Sequence, residues 1–135
     1  MIAEDFTRLW TKLSRDWRIH LEQSLAPLTE SQLNVLELLL QSPEPMKPSD
    51  LIQHLSISPA AITTLLDRME RNELLVRKRD EADRRLVWIA VSDKGIAEAA
   101  RGNAIRKALI ERSLDRISSH NQQLLVYLLG KVASS

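Results

Sequence analysis

Residues 48–95 read PSDLIQHLSISPAAITTLLDRMERNELLVRKRDEADRRLVWIAVSDKG, and the fold can be inferred outward from them. A short amphipathic segment is followed, after about three residues, by a second helix that Ser58 caps and Pro59 starts. Two short helices joined in this way are typical of a helix-turn-helix. The apolar runs at residues 74–79 and 86–91 then predict a β-hairpin with a charged tip. Together these features predict a winged helix.

The second helix of this motif presents a face of small side chains. A helix in the DNA major groove reads base edges with the exposed residues of its N-terminal turns. Small residues allow close approach, hydroxyl groups exchange hydrogen bonds, and methyl groups can contact thymine. An ordinary solvated helix can carry the same residues, so the interpretation depends on the neighbouring hairpin. The predicted DNA-contacting residues of this helix are Ser58, Pro59, Ala60, Ala61, Thr63, Thr64 and Arg68.

The hairpin tip is rich in charge of both signs. Residues 77–85 contain five Lys or Arg side chains and three acids. A run of charges is usually a solvated face, and acids weaken attraction to DNA. A wing tip nevertheless projects from the domain, and one or two arginines there can enter the narrow minor groove. We therefore predict that the tip also contacts DNA.

Both ends of the chain carry apolar stripes at helical spacing. One lies within residues 4–25, and the other follows a helix cap at Ser118 or Ser119. Each stripe needs a partner, which is either the other stripe or a second subunit. Core packing is the plainer alternative for the N-terminal stripe, and its tryptophans could also line a ligand crevice. The predicted dimerisation residues are Phe6, Leu9, Trp10, Leu13, Trp17, Leu124, Leu125, Leu128 and Leu129.

Composition limits the other classes of function. The 135 residues include no Cys, which excludes disulfides, thiolate metal sites and thiol-based oxidant sensing. His20, His54 and His120 lie in different predicted helices without metal-ligand spacing, so we expect no metal, no cofactor and no enzyme activity. No segment approaches the about 20 apolar residues of a membrane span, and no signal peptide is recognisable, so we expect a cytoplasmic protein without membrane partners.

From Met69 to Gly95 the sequence resembles the MarR family of bacterial transcription regulators. MERNELL at residues 69–75, DRR at 83–85 and SDKG at 92–95 follow the characteristic spacing of that family. The resemblance implies a homodimer that binds a pseudo-palindromic operator in double-stranded DNA. It also implies a regulator, most simply a repressor, that a small aromatic or anionic effector releases.

The fold that this resemblance implies is mostly α with a small β-hairpin wing (α+β). Residues 29–95 would form a winged helix-turn-helix. An N-terminal dimerisation helix in residues 1–28 and C-terminal helices in residues 96–135 would complete the dimerisation region in one intertwined domain.

Roles for wing residues follow from the same resemblance. Arg85 would enter the minor groove, Asp83 would orient it, and Arg84 or Arg77 would contact phosphate.

Three positions depart from the family pattern. Ser56 replaces the glycine usual in the turn, and Ile52 replaces the usual small alanine. Glu73 replaces the glycine usual after the recognition helix. These departures leave the geometry of the turns open.

A second hypothesis comes from a different class of function. The net charge is only +1, which provides no overall attraction to a polyanion. A winged helix that mediates protein association without binding DNA is therefore the alternative, and retention of DNA fragments distinguishes the two.

Overall fold

The computed structural model describes residues 1–134 as six helices and one hairpin. The elements are α1 (Ile2–Leu25), α2 (Glu30–Gln41), α3 (Pro48–Leu55), α4 (Pro59–Arg71), β1 (Leu75–Arg79), β2 (Val87–Val91), α5 (Asp93–Leu114) and α6 (Ser119–Ala133). β1 and β2 pair antiparallel, with Leu75 opposite Val91 and Arg79 opposite Val87. The predicted fold class, mostly α with a β-hairpin wing, is confirmed.

Side-chain caps begin the helices where the sequence predicts them. The Thr29 side chain accepts a hydrogen bond from the Gln32 N–H at 3.1 Å, and the Gln32 side chain accepts one from the Thr29 N–H at 3.2 Å. Ser58 accepts from the N–H of Ala61 at 3.1 Å, and Pro59 is the first helical residue after it. Each such cap contributes about 1 kcal/mol, so local sequence sets where α2 and α4 start.

The core lies where α2, α3, α4 and the hairpin meet the C-terminal end of α1 and the N-terminal half of α5. Because the apolar face of α4 turns inward, its other face is exposed to solvent. The hairpin is joined to the segment before α3, since the Ile89 N–H donates to the Met46 carbonyl at 3.0 Å. The largest fully buried side chains are Leu25, Leu33, Val35, Leu36, Leu51, Ile62, Leu66, Met69 and Leu75.

Two non-glycine residues hold left-handed backbone conformations. Ser56 ends α3 with φ 53° and ψ 42°, and Glu73 follows α4 with φ 64°. At the end of α4 the N–H of Leu74 bonds to the Met69 carbonyl at 2.9 Å, and that of Glu73 to the Glu70 carbonyl at 3.0 Å. These bonds form a Schellman motif, which needs a left-handed residue. Ser56 and Glu73 stand where glycine is usual, and both adopt the left-handed geometry that a glycine would adopt there.

Glu73→Gly is expected to stabilise the protein. A left-handed conformation costs a non-glycine residue about 1–2 kcal/mol, and glycine offsets part of the gain through its freer unfolded chain. We expect a net gain of about 0.5–1 kcal/mol in the free energy of unfolding, measured by urea denaturation. Glu73→Ala is the control because it removes the same side chain and keeps the strain. Equal stabilities of the two variants would contradict the explanation.

Helix α5 runs antiparallel to α1 and links it to the winged helix. The indole N–H of Trp17 donates to Ser113 Oγ at 2.8 Å, whereas at the other end Arg101 Nη2 donates to the Leu25 carbonyl at 2.7 Å. Arg106 of α5 also pairs with Glu37 of α2 at 2.9 Å. Trp17, predicted for the dimer, thus makes its polar contact within its own chain.

The apolar stripes at the two termini stay uncovered within the described chain. The structure describes all fifteen residues of α6, and none of them is buried. The other predicted dimerisation residues are between 38% and 55% exposed, namely Phe6, Leu9, Trp10, Leu13, Leu124, Leu125, Leu128 and Leu129. The two stripes therefore do not bury one another. No helix among residues 1–134 is both long and apolar enough to cross a membrane.

Candidate nucleic-acid interface

The N-terminal half of α4 presents a smooth, exposed surface. Thr63 and Thr64 donate their hydroxyl hydrogens to the Pro59 and Ala60 carbonyls, at 3.0 and 3.2 Å. Their oxygens keep lone pairs that can accept hydrogen bonds, and their methyl groups remain available for apolar contact. All seven residues predicted to contact DNA at this helix are exposed, namely Ser58, Pro59, Ala60, Ala61, Thr63, Thr64 and Arg68. The surface can read groove edges as an acceptor and through methyl contacts.

Arg85 at the wing tip is fixed in direction and open to solvent. Its Nε donates to Asp83 Oδ1 at 3.0 Å, and its Nη2 donates to Asp83 Oδ2 at 3.0 Å. The Arg85 side chain is nevertheless 90% exposed. The Arg85 guanidinium and backbone N–H lower the pKa of Asp83, so the pair stays charged at neutral pH. Asp83 thus holds the Arg85 side chain in place, while the DNA contacts assigned to both residues stay predictions.

Arg84 is the second exposed arginine of the tip. Its backbone carbonyl accepts a hydrogen bond from Arg79 Nη1 at 2.9 Å, which holds the chain on either side of the tip together. No acid within residues 1–134 forms an ion pair with the Arg84 guanidinium, so this cation can meet a phosphate.

Arg77, the other arginine predicted to contact phosphate, is paired with two acids of α4. Its Nη2 lies 2.7 Å from Asp67 Oδ1 and 3.0 Å from Glu70 Oε1, and its backbone N–H donates to Glu70 Oε2 at 3.0 Å. The side-chain bond to Glu70 raises the pKa of Arg77, and Arg77 lowers the pKa of Glu70. Because two acids already pair with its charge, Arg77 is less available to a phosphate than the exposed Arg84, and a phosphate contact by either residue stays a prediction. Arg77 also joins α4 to the first strand of the wing.

Sequence reasoning missed the residues that organise the base of the wing. Asp80 Oδ2 accepts the N–H groups of Ala82 and Asp83 at 2.9 and 2.8 Å, and its Oδ1 accepts the Trp88 indole N–H at 3.0 Å. An aspartate at the start of a polar loop is a turn signal that could have identified Asp80. The Trp88 contact had no such signal, because it depends on the pairing of the two strands.

Metal ligation finds no support among residues 1–134, where no three His, Asp or Glu side chains are placed to share an ion. Nδ1 of His20 and Nδ1 of His54 each lie 2.8 Å from a carbonyl one turn back in their own helices.

Comparisons with known proteins agree with this geometry. Residues 28–87 match the family model described as MarR family. Transcriptional regulator HosA of Escherichia coli O157:H7 is 30% identical over 116 residues, which cover 84% of either chain. YwhA of Bacillus subtilis, named an HTH-type transcriptional regulator, is 30% identical over 84 residues, which are 62% of this chain and 60% of YwhA. These relatives are named as regulators, not as enzymes.

A solved structure supports the same fold. A mutant form of Escherichia coli MarR, in complex with operator DNA, superposes with a TM-score of 0.77. It is 23% identical, and the superposition covers 96% of this chain and 94% of that one. The winged-helix architecture is therefore shared over nearly the whole length.

Proposed function

The chain belongs to the MarR family, and from that membership we propose that it is a DNA-binding transcriptional regulator, most simply a repressor. It binds a pseudo-palindromic operator as a homodimer, and each protomer places α4 in the major groove and its wing tip in the adjacent minor groove. A cytoplasmic location, on the bacterial nucleoid when bound, belongs to the same proposal.

The observation that carries this proposal is the combination of α4 and the wing on one chain. The exposed small residues of α4 are joined to the wing through the Arg77 contacts with Asp67 and Glu70. The wing in turn carries Arg85, which is held in one direction yet almost fully exposed. An interface for protein association alone would not need a rigid, exposed arginine beside a helix face of small residues.

The uncovered apolar stripes support the homodimer. Soluble monomers rarely expose contiguous apolar surfaces of this kind, and both stripes lie on helices at the chain ends. A two-fold pair of chains covers both stripes at once and sets two recognition helices for successive turns of a palindrome.

A small aromatic or anionic effector completes the proposal. Binding that favours one spacing of the two winged helices would shift the population of DNA-competent dimers. A cleft between α1 and α5, lined by Trp17, His20, Arg112 and Arg116 among others, offers aromatic and cationic groups for such a molecule and lies apart from the DNA-contacting face of α4. Loss of operator binding on addition of benzoate would support this part, and undiminished binding with a panel of aromatic acids would refute it.

Arg85→Ala is expected to weaken operator binding by about 1–3 kcal/mol, the usual scale of one specific contact. Sites selected from random DNA would first provide an operator, and fluorescence anisotropy would then measure affinity against salt concentration. Each phosphate neutralised contributes a slope of about −0.9 to log K against log salt. Arg8→Ala removes the same charge from α1, where the side chain is 69% exposed, and serves as the control.

Two outcomes would count against the proposal. Equal affinities for Arg85→Ala and the wild type would remove the role assigned to Arg85. Failure of the wild type to retain any DNA sequence would favour the alternative of a protein-association module.

A further inference from the structure

A continuous series of contacts connects the first helix of the helix-turn-helix to the wing tip. We call it the wing relay, and its members are Lys47, Trp88, Asp80, Asp83 and Arg85. Lys47 Nζ lies 5.8 Å from the centroid of the Trp88 ring, and the Trp88 indole N–H donates to Asp80 Oδ1 at 3.0 Å. Asp80 Oδ2 accepts the Asp83 N–H at 2.8 Å, and the Asp83 carboxylate accepts hydrogen bonds from Nε and Nη2 of Arg85.

Packing alone does not account for Trp88. It lies opposite Lys78 in the hairpin, on the strand face that the core does not cover, and it is only half-buried. Any apolar residue could fill such a place. The indole instead brings an N–H donor to the carboxylate that forms the turn at the base of the tip. Because an indole N–H can only donate, it defines where Asp80 Oδ1 must lie.

Asp80 uses both carboxylate oxygens, and this explains how the turn is held. Oδ1 is held by Trp88 of β2, and Oδ2 holds the N–H groups of Ala82 and Asp83 in the loop. The Trp88 bond, followed by these backbone bonds, lowers the pKa of Asp80, so the carboxylate stays ionised. Asp80 thus connects the backbone of Asp83 to β2, and the Asp83 side chain in turn holds Arg85.

The other end of the relay is anchored at the start of α3. Lys47 is the N-cap residue of α3, and its backbone N–H donates to Asp50 Oδ2 at 2.9 Å. The neighbouring Met46 carbonyl accepts the N–H of Ile89, which follows Trp88 in β2. The start of α3 and the strand β2 of the wing are therefore held together next to Trp88.

We propose that Trp88 and Asp80 are positioning residues that set the direction in which Arg85 is presented to DNA. This inference rests on the proposed function, since it assigns these two residues a task within DNA binding. They act through Asp83 and need not touch DNA themselves.

Asp80→Asn provides a test in which two explanations predict opposite signs. Removing an acid from the wing reduces repulsion of phosphate, so charge alone predicts tighter operator binding. Loss of charge-assisted hydrogen bonds loosens the turn, so the wing relay predicts binding weakened about three- to tenfold. Glu81→Gln is the matched control, because Glu81 is exposed on the same loop and makes no hydrogen bond within residues 1–134. We expect Glu81→Gln to bind equally well or more tightly.

Trp88→Phe tests the relay without changing charge. It keeps an aromatic ring near Lys47 and removes the indole N–H, and thermal denaturation verifies that the fold persists. We expect about a threefold loss of operator affinity, comparable to that of one hydrogen bond. In an Arg85→Ala background the same substitution should cause no further loss, because the relay acts only through Arg85. Full additivity of the two changes would overturn the proposal.

The indole N–H resonance of Trp88 in nitrogen-15 spectra reports the contact in the absence of DNA. The chain has three tryptophans, and loss of one signal in Trp88→Phe assigns the resonance. That resonance should shift in Asp80→Asn and stay in place in Glu81→Gln. An unshifted resonance would overturn the relay whatever the DNA result. If Asp80→Asn and Trp88→Phe bind the operator as tightly as the wild type, the relay is overturned and the proposed function stands. If the wild type binds no DNA, the proposed function is refuted as well.

Discussion

Leu128→Asp is expected to abolish the proposed homodimer and leave a monomer. Leu128 lies in the middle of the uncovered stripe of α6 and is 49% exposed in the single chain. Burying a leucine contributes about 1.5–3 kcal/mol, and two-fold symmetry counts each contact twice. Placing a carboxylate there costs still more, because it would lose its water without gaining a partner. We expect the dimer dissociation constant to rise about 10³-fold or more.

Sedimentation equilibrium over a range of protein concentrations measures this change. Gln123→Asp is the matched control, because Gln123 lies on the opposite side of α6 and is exposed. The control should leave the dimer intact. If the two variants associate as strongly as the wild type, the stripe of α6 is not the dimer interface. Operator binding should fall along with dimerisation, since one protomer contacts only half of a palindrome.

Gly95→Ala is expected to lower the free energy of unfolding by about 3 kcal/mol, at the upper end of the cost of overpacking. Gly95 is buried in the first turn of α5, against the hairpin. A methyl group there would clash with the Leu74 carbonyl oxygen and would lie 2.6 Å from Val91 Cγ1. The carbonyl cannot easily move away, because it accepts the Ser92 N–H at 3.1 Å. The added methyl would therefore push α5 away from the wing.

Gly130→Ala is the control for this prediction. Gly130 lies in α6, and a methyl group added there would meet nothing within 4 Å. Alanine in a helix interior is favoured over glycine by about 1 kcal/mol, so this variant should be at least as stable as the wild type. Urea denaturation at a fixed protein concentration compares the two, because association also contributes to stability. A Gly95→Ala chain as stable as the wild type would show that the α5 junction is not tightly packed.

Much of the fold was predictable because its signals are local. The capping box of Thr29 and Gln32 and the cap at Ser58 depend on residues within one helical turn, and the structure places both as expected. The pairing of Asp83 with Arg85 is also local, since the residues are two positions apart. The left-handed turns at Ser56 and Glu73 show the limit of this reasoning. Their positions could be inferred by resemblance, but their geometry could not.

The wing arginines were harder to assign because their roles depend on elements that meet only after folding. The sequence predicts that Arg77 and Arg84 are both exposed cations in or beside the hairpin. Packing of α4 against β1 then brings Asp67 and Glu70 onto Arg77, while Arg84 stays free of such acids within residues 1–134. A distance of seven or ten residues along the chain carries no signal of that contact.

The amino-acid sequence alone was sufficient for the order of helices and strands, the face of α4 that turns outward, and the class of protein. The element order and the outward face of α4 follow from hydrophobic periodicity, caps and turn residues, all of which act over a few positions. The class of protein follows from the resemblance of residues 69–95 to the MarR family. Which charges remain available for DNA depends on the tertiary structure, because an ion pair forms between whichever side chains packing brings together. The same packing directs the Trp88 indole at Asp80 and leaves two apolar stripes uncovered, so the wing geometry and the surface offered to a second chain emerge only once the helices are assembled.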